Sequence, residues 1–381
     1  MIAARLLRLI AADFLARCHL RLPVTHTQVS GPVTGATRIK RCWLYVVLVL
    51  VGLTLQSRSN AAPAEQIRNT ETTAGRCVVI DSDAGLDDFR AIAVLAANQR
   101  VAAIVVTEGL SDPVEGSAAV EVLLARMGQK IPVIVGESPP ADRKYIASAH
   151  LREWRNNAER LNGLLPTPEK PAPGAVEGPA NITAALKRHV TDCSKITLLV
   201  IGPWTSFMRY APELLDRIDR IVAQGRPDPD EIGGTPSGFN CVYDLNNCLA
   251  AFDLLVGRRQ RADRYLRATW VDIPNDPTSC GSAEPGIDKD GKPLYAFRPT
   301  ARWAATLAAS GGPAEVIGEM LKKNPNGWEQ TSLWDDLTAL YILRPELFMT
   351  RGGHREPCVP SETVRRLLAE FLAKKPAHPA P

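Results

Sequence analysis

Four aspartates within eight residues carry the strongest chemical signal in the sequence. They follow the apolar run Cys77–Ile80 in the pattern D-x-D-x-G-x-D-D, written out as Asp81-Ser82-Asp83-Ala84-Gly85-Leu86-Asp87-Asp88. Carboxylates packed this closely repel one another unless a cation neutralises them. Oxygen ligands without Cys or His suit a hard cation, Ca²⁺ or Mg²⁺. The pattern therefore predicts a metal site, and a solvated acidic turn at the start of a helix is the plainer alternative.

Alternating apolar runs and helical patterns surround this cluster and predict the elements that position it. Their succession predicts an α/β fold, a single domain over residues 75–375 with a mostly parallel central sheet flanked by helices. Because ligands bind at the carboxyl ends of the strands in such sheets, the aspartates lie at the functional edge. Gly85 is expected to allow the tight turn that brings the two pairs of aspartates together. The predicted strands are Cys77–Ile80, Val101–Thr107, Ile131–Val135, Ile196–Ile201 and Ile221–Ala223, and the predicted helices are Asp88–Asn98, Glu115–Met127, Thr183–His189, Pro212–Asp219, Trp334–Leu343 and Ser361–Lys374, the last with Ser361 as its N-cap.

The basic excess of the chain lies at its N-terminus. The net charge is +4, and residues 1–64 hold eight Lys or Arg and one acidic residue. The rest of the chain is close to neutral, which argues against nucleic acid as a partner. Cys42–Leu55 is an apolar run of fourteen residues, shorter than the roughly 20 that span a bilayer as a helix.

This N-terminal pattern is typical of a secretory signal peptide. Lys40 and Arg41 precede the apolar run, and small residues follow it up to Ala62. We therefore expect a signal peptide over residues 39–62, cleavage near Ala62 and export to the periplasm or the extracellular space. An uncleaved membrane anchor is the alternative. Residues 1–38 form an N-terminal extension without an assigned role, and residues 376–381 are expected to be a disordered tail.

Six of the eight cysteines remain after the predicted leader. An oxidising compartment permits disulfides among them, but six cysteines allow fifteen connectivities, and the sequence does not choose between them. A zinc site is not predicted because the chain has no C-x-x-C pair.

The aspartate pattern and three later segments together resemble the inosine–uridine-preferring nucleoside hydrolase family. The resemblance runs from about Cys77 to Phe348 and implies the fold of that family, with its Rossmann-like core. The family's G-P-L-T-N, E-F-N…D-P-E-A-A and H-D-P-L…D-P-E-L segments are similar to Gly202-Pro203-Trp204-Thr205-Ser206, to Gly238-Phe239-Asn240 with Asp244, and to Trp334-Asp335-Asp336-Leu337 with Arg344-Pro345-Glu346-Leu347-Phe348.

The resemblance implies a Ca²⁺-dependent hydrolase of N-glycosidic bonds that acts on a small-molecule nucleoside or riboside. Calcium would be held by Asp83, Asp88 and Asp335, with the Thr205 carbonyl and Asp87 nearby. Asp83 would also be the general base on a calcium-bound water, which attacks the anomeric carbon as the base departs. Among substrate contacts, the resemblance points to Asn240, which matches the asparagine of E-F-N. Trp334 is a second candidate because it could stack against the base, and a tryptophan that packs in the core is the alternative. The resemblance leaves room for a homo-oligomer.

Four positions depart from the pattern of the family. Trp334 replaces the histidine that helps to protonate the leaving base, and Leu110 replaces an asparagine after the second strand. Gly238 replaces the glutamate of E-F-N, and Ser206 replaces the asparagine of G-P-L-T-N. Loss of a general acid typically costs about 10²–10⁴ in rate. Metal binding is therefore expected to be intact, whereas ribose recognition and leaving-group activation are weakened.

Two other functions remain open at the level of sequence. An exported binding protein could keep the metal site with little or no turnover. A haloacid-dehalogenase-like phosphatase would use Asp81 as nucleophile, Asp83 as acid/base and the pair Asp335 and Asp336 as late metal ligands. That second assignment leaves Asp87 and Asp88 without a role.

Overall fold

Eight strands form one sheet in the described part of the chain, in the order β3-β2-β1-β4-β5-β6-β8-β7. The structure, a computed structural model, describes residues 75–140, 149–165, 182–225, 238–260, 267–274, 280, 297–325, 331–351 and 353–374. The predicted extension 1–38, the signal peptide 39–62 and the tail 376–381 lie outside these residues. The strands are β1 Arg76–Ser82, β2 Val101–Val106, β3 Val133–Val135, β4 Lys195–Val200, β5 Ile218–Gln224, β6 Arg267–Val271, β7 Phe348–Arg351 and β8 His354–Pro357.

The sheet is parallel except at one edge, where β7 and β8 form an antiparallel hairpin. β8 joins the parallel part through β6. The prediction of a mostly parallel sheet is thus confirmed, although β6 and the terminal hairpin were not recognised in the sequence. The hairpin strands have only four residues each, too few for a clear alternating pattern.

Helices cover both faces of the sheet. Those of the described residues are α1 Leu86–Asn98, α2 Pro113–Arg126, α3 Ala149–Glu159, α4 Ile182–His189, α5 Thr205–Leu214, α6 Phe239–Tyr243, α7 Leu245–Gln260, α8 Ala301–Ala308, α9 Gly312–Lys323, α10 Trp334–Leu343 and α11 Ser361–Leu372. No helix in this part of the chain is long and apolar enough to cross a membrane. Residues 73–381 form one compact unit, as expected for a single domain.

Strand β1 shows why a continuous apolar run predicts a sheet that is buried on both faces. Its residues are buried from Cys77 onward, and their side chains alternate between two hydrophobic cores. Val78 and Ile80 pack into the core on the side of α1 and α10, whereas Cys77 and Val79 pack into the core on the side of α4 and α5. A continuous apolar run is what a strand buried on both faces requires.

Two predicted helix boundaries are wrong. The predicted helix Pro212–Asp219 is instead α5, which begins at Thr205 and contains Pro212 near its C-terminal end. Proline favours the first helical turn, so its place near the end of α5 is unusual. Ser361 is the first residue of α11 and not its N-cap, because the carbonyl of Pro360 accepts the hydrogen bonds of the first turn.

Three disulfides join the six cysteines in pairs: Cys77 with Cys193, Cys241 with Cys248, and Cys280 with Cys358. The first links the beginning of β1 to the residues just before β4, and these two strands are parallel neighbours. The second links α6 to α7 across a sequence separation of 7. The pairing supplies what the sequence left open among fifteen connectivities.

Candidate functional site

The turn after β1 places the aspartates, and its strained residue is Ala84. Ala84 has a positive φ of 54°, a left-handed conformation that costs a residue with a Cβ about 1–2 kcal/mol. Gly85 does not allow the turn through its backbone angles, since its φ of −75° suits any residue. Gly85 is needed for space, because a Cβ there would lie 2.8 Å from Leu110 Cδ2 and 2.9 Å from Asp88 Oδ2.

Asp88 is fixed by hydrogen bonds to the same turn. Its Oδ1 accepts from the Ser82 hydroxyl at 2.6 Å and from the Asp83 N–H at 3.2 Å. Its Oδ2 accepts from the Gly85 N–H at 3.0 Å, so Asp88 also caps the first turn of α1. A carboxylate in this position is favoured by the helix dipole.

Asp83 lies where three strand ends meet. Its Oδ2 accepts from the Leu110 N–H at 3.0 Å, in the loop that follows β2. Gly109 in that loop, and Gly202 after β4, approach Asp83 so closely that side chains would collide with it. A Cβ on Gly109 would lie 2.4 Å from Asp83 Oδ2, and one on Gly202 would lie 2.7 Å from the Asp83 nitrogen.

Asp335, at the start of α10, completes the cluster. Carboxylate oxygens of Asp87, Asp88 and Asp335 lie within 4.8 Å of one another. Asp83 is not among these three, but its N–H donates to Asp88 Oδ1 at 3.2 Å and the charge of Asp88 acts on its carboxyl group. We call Asp83, Asp87, Asp88 and Asp335 the carboxylate cluster. Three of the four are buried, and Asp87 is partly exposed.

The electrostatics of the carboxylate cluster fit a cation. Burial, and then the charge of Asp88, raise the pKa of Asp83 well above its usual range. Burial and Asp88 raise the pKa of Asp87 to about 7. Burial and the charges of Asp87 and Asp88 likewise raise the pKa of Asp335. These groups would therefore retain protons unless positive charge is supplied, and their oxygens are the donor set that a hard divalent cation prefers.

One buried arginine already supplies positive charge beneath the cluster. Arg90 of α1 is fully buried, and its Nη2 lies 2.9 Å from Asp336 Oδ2. Arg90 also contacts the segment that leads into α10, through Thr331 and Ser332. The sequence analysis did not single out Arg90, because a pair separated by 246 positions has no local signature.

Asp81 does not join the cluster and serves a different role. It is fully buried, and its two oxygens accept hydrogen bonds from Thr107 at 2.5 Å and from Tyr210 at 2.8 Å. The burial of Asp81 raises its pKa to about 7. A buried carboxyl that is bonded on both oxygens is badly placed for nucleophilic attack, so the structure gives no support to the phosphatase assignment.

Thr205, Asn240 and Trp334 remain site predictions, and the structure shows where each lies. Thr205 is the first residue of α5, and its hydroxyl donates to Asp244 at 2.8 Å. Asn240 is buried, and its amide donates to the Ile201 carbonyl at 2.9 Å. A substrate could therefore bind the side-chain oxygen of Asn240, whereas binding to its amide nitrogen would compete with the hydrogen bond to Ile201. Trp334 is partly exposed and precedes Asp335 at the start of α10.

A group of polar side chains, not foreseen from the sequence, holds the loop that contacts Asp83. Arg155 of α3 donates to the carbonyls of Gly109 at 2.7 Å and Leu110 at 2.9 Å. It also donates to the Tyr243 hydroxyl at 3.2 Å, and Tyr243 in turn donates to Glu108 at 2.9 Å. Elements α3 and α6 thus fix the Leu110 N–H that binds Asp83.

Comparison with known sequences identifies one family. Residues 78–226 match the family model of inosine-uridine preferring nucleoside hydrolases. This region includes three of the four residues of the carboxylate cluster and ends before Asp335. No curated protein sequence matches the chain significantly.

Solved structures share the fold at low sequence identity. A purine-preferring ribonucleoside hydrolase from Gardnerella vaginalis superposes with a TM-score of 0.56 and 14% identity, over 78% of this chain and 98% of that one. A plant nucleoside hydrolase, PpNRh1, gives 0.52 and 16%, over 78% and 99%. The type III effector XopQ, solved with adenosine diphosphate ribose, gives 0.50 and 17%, over 78% and 93%.

Proposed function

We propose that this chain, a divergent member of the inosine-uridine preferring nucleoside hydrolase family over residues 78–226, hydrolyses the N-glycosidic bond of a ribonucleoside or related N-riboside. The observation that carries the proposal is the carboxylate cluster itself. Asp335 is separated by about 250 positions from the aspartates after β1, yet it meets Asp87 and Asp88 within 4.8 Å. Structural stability alone gives no reason to bury repelling charges together.

The proposed cofactor is Ca²⁺, held by Asp83, Asp87, Asp88, Asp335 and the Thr205 carbonyl. A bound divalent cation would neutralise the cluster and lower the pKa of a coordinated water. Ca²⁺ accepts more oxygen ligands than Mg²⁺ and tolerates irregular geometry, which suits the proposed set of four carboxylates and a backbone oxygen.

Asp83 is the proposed general base. The Leu110 N–H and the close approach of Gly109 and Gly202 hold its carboxylate in one orientation. A carboxylate held in one orientation beside the attacking water is in place to accept its proton. Asp83 takes a proton from the water that attacks the anomeric carbon, and the bond from that carbon to the base nitrogen breaks. The electron pair of that bond leaves with the base, which takes up a proton from solvent.

The remaining carboxylates favour the same step electrostatically. The sugar develops positive charge as the glycosidic bond breaks. Fixed negative charge beside it stabilises that transition state. The departing base needs a proton, and Trp334 cannot donate one as an imidazolium would. The proposed substrates are therefore ribosides whose leaving group departs readily.

A ribose-release assay tests the proposal. The mature chain is incubated with a panel of nucleosides and nitrophenyl riboside, with Ca²⁺ or with EDTA, and free ribose is measured. We expect release with Ca²⁺, loss with EDTA and recovery when Ca²⁺ is restored. Replacement of Asp83 by Asn should lower kcat by about 10²–10⁴, the usual contribution of a general base.

Asp253→Asn is the matched control, because Asp253 lies on the exposed face of α7 and should keep the rate of the unmodified chain. Unchanged rates in Asp83→Asn would show that the assigned base is wrong. Nucleoside binding by calorimetry without ribose release from any substrate would make the protein a binding protein.

A further inference from the structure

The two halves of the carboxylate cluster come from distant parts of the chain, and one side chain joins the two segments that carry them. Arg90 lies on α1, two residues after Asp88. Its Nε donates to the two oxygens of Asp336 at 3.1 and 3.0 Å, and its Nη2 donates to the Ser332 carbonyl at 2.8 Å. The other nitrogen, Nη1, donates to the Thr331 hydroxyl at 3.2 Å.

These contacts fix the orientation of the segment before α10 relative to α1, in addition to the distance between the two helices. The guanidinium is a rigid planar fork, and it binds a carboxylate, a carbonyl and a hydroxyl in three directions. All three groups belong to residues 331–336, the segment that leads into α10 and carries Asp335. The Leu86 carbonyl, at 3.3 Å from Nη1, anchors the same fork to the first turn of α1.

The charge of Arg90 also matters at this place. Arg90 faces the negative charges of Asp336, Asp87 and Asp335, which would otherwise drive α1 and α10 apart. A buried ion pair is nevertheless often replaced by apolar residues without loss of stability. The geometry of the contacts, rather than stability alone, is therefore what the arginine provides.

We propose that Arg90 is a positioning residue, which holds the 331–336 segment against α1 so that Asp335 faces Asp87 and Asp88 before a cation binds. The inference rests on the proposed function, since it assigns a role in building that metal site. The proposal concerns the pair of Arg90 and Asp336. Asp336 lies at the position where the family's H-D-P-L segment has a proline.

A charge-neutral double substitution separates positioning from electrostatics. Arg90→Met with Asp336→Leu removes one positive and one negative charge, so the net charge near the cluster is unchanged. We expect the affinity for Ca²⁺, measured by calorimetry on the folded mature chain, to fall at least tenfold. A second neutral pair, Arg90→Gln with Asp336→Asn, keeps the side-chain volumes closer and should also weaken binding, to a smaller extent.

The single variant Arg90→Met should change the affinity for Ca²⁺ in opposite directions, depending on whether Arg90 acts through its charge or through positioning. If Arg90 only adjusts charge, its removal leaves Asp336 unpaired and raises the affinity for Ca²⁺. If Arg90 positions Asp335, the affinity falls. The control pair is Arg365→Met with Glu362→Leu, because Arg365 is also buried and pairs with Glu362 at 3.0 Å in α11. The control should change the melting temperature and leave the Ca²⁺ affinity within about twofold.

If both double variants bind Ca²⁺ as tightly as the unmodified chain, or if Arg90→Met binds it more tightly, the positioning role is overturned and the proposed function stands. Absence of Ca²⁺ binding by the unmodified chain would overturn both.

Discussion

Trp334 directly precedes Asp335, at a position where the resembling family has a histidine. An indole cannot protonate a leaving base, whereas an imidazolium can. The attack by water should therefore depend on Asp83, whereas the departure of the base should be slowed by the absence of a proton donor at Trp334. A substitution of Trp334 alone can therefore separate the two steps.

We predict that Trp334→His raises kcat/KM for inosine and leaves it nearly unchanged for a nitrophenyl riboside. The nitrophenyl group leaves as a stable anion and needs no proton, so the unmodified chain should prefer it over inosine. A general acid contributes about 10²–10⁴ in rate, and a gain of tenfold or more would be clear. Equal effects on both substrates would mean that Trp334 acts through packing.

The aspartates after β1 could be identified from sequence because the turn, the strand and the acids are contiguous. Asp335 needed the family resemblance, and Arg90 with Asp336 was not foreseen at all, since pairing over 246 positions leaves no periodic trace. The sequence grouped Asp81 with the other three aspartates but did not show what it binds. Its neighbours Thr107 and Tyr210 come from other elements, so its distance from the cluster depends on tertiary packing.

At the scale of elements, the sequence predicted the long apolar strands and the order of βα units. It misplaced α5, which has Pro212 near its C-terminal end and not in the first turn that proline favours. It also assigned the turn after β1 to Gly85, whereas the left-handed residue is Ala84. One local and one tertiary hydrogen bond hold that conformation: the Ala84 N–H donates to the Ser82 hydroxyl at 2.9 Å, and the Ser111 hydroxyl donates to the Ala84 carbonyl at 2.9 Å.

The three disulfides should differ in how much they stabilise the elements they join. A cross-link that closes a longer loop removes more entropy from the unfolded chain, about 4.7 kcal/mol for roughly 100 residues against about 3 for 15. Cys77–Cys193 has a separation of 116 and Cys241–Cys248 one of 7. We predict that the double replacement Cys77→Ala and Cys193→Ala lowers the free energy of unfolding more than Cys241→Ala and Cys248→Ala. Urea denaturation at fixed Ca²⁺ measures both, and the reverse order would contradict the entropic account.

For the whole molecule, the pKa values of Asp83, Asp87 and Asp335 link stability to pH. Each folded-state pKa lies above the ordinary value of 3.8, and that of Asp87 reaches about 7. Between about pH 4 and pH 7 the folded chain therefore binds more protons than the unfolded chain. Under that condition the free energy of unfolding falls as pH rises.

We predict that, in EDTA, the melting temperature decreases from pH 4 to pH 7, and that Ca²⁺ reverses this decrease. A ligand of the folded state stabilises by mass action, and the carboxylates must be ionised to bind it. The gain from Ca²⁺ should be small at pH 4 and largest above pH 7. A melting temperature that does not respond to Ca²⁺ at any pH would contradict a cation site.

Export of the whole chain is a proposal that three disulfides support, because such bonds persist in oxidising compartments. We predict that N-terminal sequencing of the protein from its native host finds a chain that begins near Ala62. Recovery of an intact Cys42–Leu55 segment from a soluble cytoplasmic fraction would contradict the prediction.

Strand β1 lies in the middle of the sheet, between β2 and β4, although it is the first strand of the described chain. In a polypeptide that is threaded through a translocation pore with its N-terminus leading, β1 would emerge long before its neighbour β4. One edge of β1 would wait unpaired, open to wrong partners, until the 116 positions between Cys77 and Cys193 had passed. Asp335 would emerge later still, so a stalled or truncated chain could not assemble the carboxylate cluster. Capture of the cation would then have to wait until the start of α10 had emerged.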